Sequence, residues 1–316
     1  MKKTFFAVVM MGAAGTAAMS PAALFTADFE TNQSSTFTQA IGSEANDASS
    51  NFTYDSSTHV QVTPSIDIPI GAAPNSTATT KVVRLDANVT EAASITDAIS
   101  LYPNVTGLGA TWHMDFDAWQ NYNGDLNGGA GSTNNMIVGA TSSKTFAPRT
   151  PNSGNVTGTA DAFYFAITGE GQATVDYRYY SGAGTVAANF TGGTTALWFG
   201  GASGTNQTAV DPVWTNFFTT PNSQTPGAPG KRWLTFKLTV SGTTATLSIK
   251  RVGDASFTDV AVASGVPATA VNPFVGFGDI NSGQAAPVAD QFLLVDNLLV
   301  DNGTGQTAAG FWTMYD

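Results

Sequence analysis

The stretch "WLTFKLTVSGTTATLSIKR", Trp233 to Arg251, decides the fold. Apolar and polar residues alternate along it with period 2, which points successive side chains to opposite faces of a strand. Trp233 to Val240 and Thr244 to Lys250 read as the arms of an antiparallel hairpin, and Ser241-Gly242-Thr243 supplies the turn.

The same alternation recurs outward from this hairpin, and no long stretch keeps the 3.6 period of a helix. "TKVVRLDANV" sets Val83, Leu85 and Ala87 on one face and Val82, Arg84 and Asp86 on the other. "DAFYFAIT" groups Phe163, Phe165 and Ile167, and "FLLVDNLLVDN" adds a late strand. "TWHMDFDAWQNY", Thr111 to Tyr122, turns Trp112, Met114, Phe116 and Ala118 toward a core and His113, Asp115, Asp117 and Trp119 away from it. Loops rich in Gly, Pro, Asn and Ser separate the strands, with long ones at Pro64 to Thr80, Asn121 to Asn135 and Gly200 to Pro212. The expected fold is all-β, a two-sheet antiparallel β-sandwich or jelly roll.

The chain opens "MKKTFFAVVMMGAAGTAAMS", with Lys2 and Lys3 ahead of an apolar run from Phe5 to Ala18. That pattern is a secretory signal peptide over residues 1–23, too short to serve as a membrane span. The sandwich is expected over 24–302, and 303–316, "GTGQTAAGFWTMYD", as a flexible tail. With no cysteine, neither a disulfide framework nor a lipoprotein anchor is available. The formal net charge of -11 becomes -13 without Lys2 and Lys3, which disfavours nucleic acid and anionic lipid as partners. No later segment is long and apolar enough for membrane insertion as a helix. A turn-rich chain with only 11% charged residues suits a secreted, extracellular or cell-surface protein.

"APGKRWLTFKLTVSGTTATLSIKR" resembles the W-x-x-x-x-L-x-V-x-G-x-x-x-x-L hairpin of laminin-G-like, concanavalin A-like jelly rolls. "AAPNSTATTKVVRL", "DFDAW" and "FVGFGDINSG…FLLVDNLLV" resemble segments of exported bacterial proteins of that superfamily, and together cover most of residues 25–302. The resemblance implies the concanavalin A-like fold and a bacterial source. For function it implies only a range, from lectins and carbohydrate-binding modules to adhesion domains and glycoside hydrolases.

The candidate ligand face is the outer side of Thr111 to Tyr122. There an exposed Trp119 would stack on a sugar ring while Asp115 and Asp117 accept hydroxyl hydrogen bonds beside His113. Tyr164, expected on the neighbouring strand, is a further candidate. The competing reading is a solvated strand face that merely keeps the sheet soluble. Laminarinase-like hydrolases of the superfamily carry E-x-D-x-x-E or E-x-D-x-E, whereas this chain has His113-Met114-Asp115-Phe116-Asp117, so no catalytic residue carries over. Asp115 and Asp117 have Cα atoms about 6.5–7 Å apart, so a retaining pair is not forbidden, but the aspartate arms are short.

With His59 and His113 the only histidines, a zinc or copper site is not expected. Calcium takes oxygen ligands, and Asp28 with Glu30 and Asp296 with Asn297 supply them if the first and last strands lie side by side. "GDINSGQAAPVAD", with Asp279, Asn281, Ser282 and Asp290, is either a rim of the ligand face or an ordinary turn. The expected function is a secreted, non-catalytic carbohydrate-binding or cell-surface adhesion protein whose partner is an extracellular glycan or cell-surface component. The alternatives are a glycoside hydrolase and a structural component of an extracellular matrix.

Overall fold

The computed structural model describes residues 23–42, 47–61, 69–76, 79–89, 97–122, 134–148, 161–169, 177–181, 229–279 and 288–302. The expected signal segment (but for its last residue), the tail 303–316, Asn281 and Ser282 lie outside them. Among the described residues the chain forms β1 (Phe25–Ala27), β2 (Phe37–Ile41), β3 (Ala48–Asp55), β4 (Lys81–Ala87), β5 (Asp97–Pro103), β6 (Thr111–Asn121) and β7 (Asn134–Thr141). β8 (Phe163–Thr168), β9 (Tyr177–Ser181), β10 (Trp233–Ser241), β11 (Thr244–Arg251), β12 (Thr258–Ser264), β13 (Asn272–Asp279) and β14 (Phe292–Asp301) follow.

These strands make an antiparallel two-sheet β-sandwich, the architecture that the resemblance to concanavalin A-like jelly rolls implies. The larger sheet runs β12-β11-β10-β6-β14-β4-β3, with β1 also paired to β14, and the smaller runs β2-β5-β13-β7-β8-β9. The opening hairpin is β10–β11, closed by the Ser241–Thr244 pair, so its loop has Gly242 and Thr243 rather than three residues. Gly242 has φ of 60°, at the first central position where a type II′ turn requires glycine. β6 lies between β10 and β14, which makes "TWHMDFDAWQN" a central strand.

One core fills the space between the sheets. It contains Trp112, Met114, Phe116 and Ala118 of β6, Val83, Leu85 and Ala87 of β4, and Phe163, Phe165 and Ile167 of β8. Period-2 alternation thus identified the inward face on each of these strands. Phe116 and Phe236, partners across β6–β10, stack with ring centroids 5.6 Å apart. Each such ring removed from water contributes on the order of 1.5–3 kcal/mol.

Both outer faces carry apolar layers of their own. On the smaller sheet Tyr102, Phe146, Tyr164, Tyr180 and Phe274 form one cluster, and Tyr164 and Tyr180 stack at 4.6 Å. On the larger sheet Trp119, Trp233, Phe292, Leu294 and Val82 form another with Ile70 and Ala73, which reach over from the segment before β4. That strap, 69–76, divides the outer face of the larger sheet into a covered and an open half.

Candidate functional site

His113, Asp115, Asp117 and Trp119 share the outer face of β6, as the alternation requires. The strap then separates them. Trp119 is 4% exposed, packed among Ile70, Ala73 and Trp233. It therefore offers no open stacking platform, contrary to the expectation from sequence. Trp233 crosses it edge-on at 6.0 Å and donates its indole N–H to the Gly71 carbonyl at 2.9 Å, which fixes the strap over the pair.

Asp117 is the strap's anchor. Its carboxylate accepts the Thr235 hydroxyl at 2.6 Å, the Asn297 amide at 2.9 Å, and both the side-chain amide and the backbone N–H of Asn75. Burial pushes its carboxyl above the usual range, and these hydrogen bonds pull the other way. With its oxygens committed to this set, Asp117 serves structure rather than solvent.

Tyr164 does not neighbour β6. It lies on β8 in the other sheet, on the outer face, where it is 2% exposed. Sequence alternation gave its face but not its sheet, because pairing between distant strands leaves no local signal.

The expected first-and-last-strand contact exists: Phe25 to Ala27 pair with Val300 to Leu298. It brings Glu30 close enough to act electrostatically on Asp296. The side chains, however, are held by neutral donors. Asp296 accepts the Ser76 hydroxyl at 2.9 Å and the Asn297 N–H at 2.8 Å, while Glu30 accepts the Thr79 hydroxyl. Asp28 accepts the Glu30 N–H and the Gln33 amide, closing a local turn. The Asp296 carboxyl is pushed up to about 8, first by burial and also by the Asp117 and Glu30 charges. No group of three or more His, Cys, Asp or Glu among the described residues is arranged to hold a metal ion. Of the four residues expected to bind calcium, Asp296 and Asn297 brace the strap and its anchor from the β14 bulge, where Asn297 has φ of 50°, while Asp28 and Glu30 are engaged by Gln33 and Thr79.

The open half of the face lies over β10, β11 and β12. Lys237 and Thr239 on β10 and Thr246 and Lys250 on β11 are half-buried, while Val262 on β12 is 49% exposed. Half-buried Phe257, just before β12, lies 5.2 Å from Lys237 Nζ and 5.5 Å from Lys250 Nζ. Beneath them, Asp115 has its Oδ2 3.5 Å from Lys237 Nζ, and its Oδ1 has no hydrogen-bond partner among the described residues. Burial pushes Asp115 up to about 6, against the pull of Lys237 and Lys250. His113 continues the row, across from Thr239 on one side and Asp301 on the other. Phe257, Lys237 and Lys250 were missed in sequence. Only the pairing of β10 with β11 reveals that the two lysines converge on one ring.

No helix of the described residues is long and apolar enough to cross a membrane. No protein-family model and no curated protein sequence matches the chain. Solved structures do resemble it. Lectin UEA-II complexed with galactose, from Ulex europaeus, aligns with a TM-score of 0.43 and 10% identity over 89% of this chain and 99% of that one. The calcium-bound exoplasmic/lumenal domain of VIP36 aligns with a TM-score of 0.40 and 9% identity over 73% and 82%. A GH131 beta-glucanase catalytic domain from Podospora anserina aligns with a TM-score of 0.39 and 12% identity over 74% and 77%. The likeness goes no further than a shared two-sheet β architecture, and the sandwich described above rests on its own strand pairing.

Proposed function

We propose that this is a secreted, non-catalytic carbohydrate-binding or adhesion protein, and that its ligand face is the open half of the larger sheet. The observation that carries the reading is the grouping of Asp115, Lys237, Lys250 and the half-buried ring of Phe257 beside His113. A ring presents a stacking surface for the apolar face of a pyranose. The ammonium groups donate to hydroxyls, and Asp115, buried beneath them, holds Lys237 in place from 3.5 Å. Of the residues singled out in sequence, His113 and Asp115 belong to this face, while Asp117 and Trp119 support it from under the strap. The N-terminal signal pattern supports export.

A hydrolase reading rests on one observation, the upward displacement of Asp115 to about 6, which suits a general acid. Of the other described carboxylates near this face, Asp117 is held by Asn75, Thr235 and Asn297, and the exposed Asp259 on β12 accepts the Ser248 hydroxyl at 2.7 Å.

The test is a glycan-array and insoluble-polysaccharide pull-down on the chain from residue 24, alongside Phe257→Ala and Lys237→Ala. Retention lost in both variants at unchanged melting temperature supports the reading. Retention that survives both sinks this face as the site. Release of reducing ends by the native chain but not by Asp115→Asn establishes the hydrolase instead.

A further inference from the structure

A second set of polar side chains lies at one end of the smaller sheet, apart from both the strap and the open face. Asp97, Asp279 and Asn134 are direct partners across β5, β13 and β7. Cross-strand partners share a face with Cβ atoms about 4.5–5.5 Å apart, so the three side chains stand abreast. That face is the inward one, since Phe277 and Met136, two residues along from Asp279 and Asn134, belong to the main core. All three are buried, with Asp97 0%, Asp279 1% and Asn134 1% exposed.

Two carboxylates directly opposite each other repel, and burial in a medium poorer than water amplifies the cost. The Asn88 amide donates to Asp279 Oδ2 at 3.0 Å, and as a neutral donor it cancels no charge. Asn88 stands just past β4, with φ of 58°, so it approaches from the larger sheet. The independent sign of a ligand is Asn134. Neither its Oδ1 nor its Nδ2 has a hydrogen-bond partner among the described residues, although the side chain is almost wholly buried beside Asp279. A buried carboxamide without partners costs roughly 1–3 kcal/mol, which a bound group recovers.

We infer that Asp97, Asp279 and Asn134 form a calcium-type cation site between the ends of the two sheets, with Asn88 orienting Asp279. The donors are all oxygen, which selects hard divalent cations over zinc or copper. Carboxylate and carboxamide oxygens on separate strands form a wide, uneven cage that suits calcium over the smaller magnesium. The set links β4, β5, β13 and β7, giving a chain without cysteine a clamp between its sheets.

The test is equilibrium dialysis with radiolabelled calcium and thermal melting in calcium chloride, magnesium chloride or EDTA, using the chain from residue 24. The expected result is one calcium bound per chain, a higher melting temperature in calcium than in magnesium, and affinity at least about tenfold weaker in Asp97→Asn with Asp279→Asn. Asn134→Asp adds a third carboxylate and is expected to tighten binding, which keeps the test decisive if the double variant does not fold. Absence of binding to the native chain overturns the inference. So does binding left intact in the double variant, or lost only in Glu30→Gln with Asp296→Asn, which would place the cation at the strap anchor.

Discussion

Asn75 and Asp117, 42 positions apart in the chain, are joined at three points: the Asn75 backbone N–H reaches Oδ2 at 3.3 Å, and its side-chain amide spans both oxygens at 2.9 and 3.0 Å. This contact sets the limit between the covered and open halves of the larger sheet. It also explains why a strand whose sequence reads as one continuous polar face has two environments.

Removing the anchor is expected to expose what it covers. In Asn75→Ala the buried Asp117 carboxylate loses one of its two side-chain amide donors, at a cost of about 1–3 kcal/mol. Tryptophan fluorescence reports the result, because Trp119 and Trp233 lie beneath the strap. The expected outcome is a lower melting temperature together with greater acrylamide quenching. Unchanged quenching would show that the strap stays seated without Asn75.

Trp119→Ala is expected to act on stability, not directly on ligand retention. The indole is 4% exposed within an apolar cluster, and truncations of this kind cost about 3–5 kcal/mol. Denaturant unfolding checks the loss, and retention measured well below the melting temperature checks the second half. Selective loss of glycan retention at native stability would return Trp119 to the ligand face.

Asp115 makes stability depend on acid. Its folded carboxyl is pushed up to about 6 from an ordinary value of 3.8, so the folded state holds this proton more tightly than the unfolded chain does. The contribution is fully present below pH about 4 and is lost as pH rises through about 6, on the order of 2–3 kcal/mol in all. Asp115→Asn has no carboxyl to ionise. Its melting temperature is expected to lack this component between pH 4 and about 7, and to equal or exceed that of the native chain at pH 7.5. Parallel pH profiles for the two proteins would rule out the displaced carboxyl.

Gly139 marks a backbone approach that no side chain fits. A Cβ there would lie 2.1 Å from the Phe163 carbonyl oxygen and 2.6 Å from Tyr164 Cβ, its partner across β7–β8. Gly139→Ala is therefore expected to displace β8 and to destabilise by more than about 3 kcal/mol. Soluble, native-like expression with an unchanged melting temperature would contradict the close packing of these two strands.

How far the sequence reaches can be judged on β6 and on the end of the smaller sheet. Alternation placed Trp112, Met114, Phe116 and Ala118 in the core and put His113, Asp115, Asp117 and Trp119 on the far side, and both assignments agree with the structure. It did not reveal that Asn75 and Gly71 arrive to cover Asp117 and Trp233, nor that Phe257 gathers Lys237 and Lys250. Asp279 was noticed only as a loop rim, and Asp97 and Asn134 not at all, because they become a group only through the β5–β13–β7 register.

The sequence by itself therefore determined the strands with the plainest alternation, among them β4, β6, β8, β10 and β11, with their inward faces and the two-sheet architecture, since period-2 patterning is local and burial of one face follows from it. The tertiary structure alone decided which outward residues meet water and which polar groups stand together. Those outcomes depend on contacts between distant segments, such as Asn75 with Asp117 and Asn88 with Asp279, 42 and 191 positions apart, and on strand register that no single strand encodes.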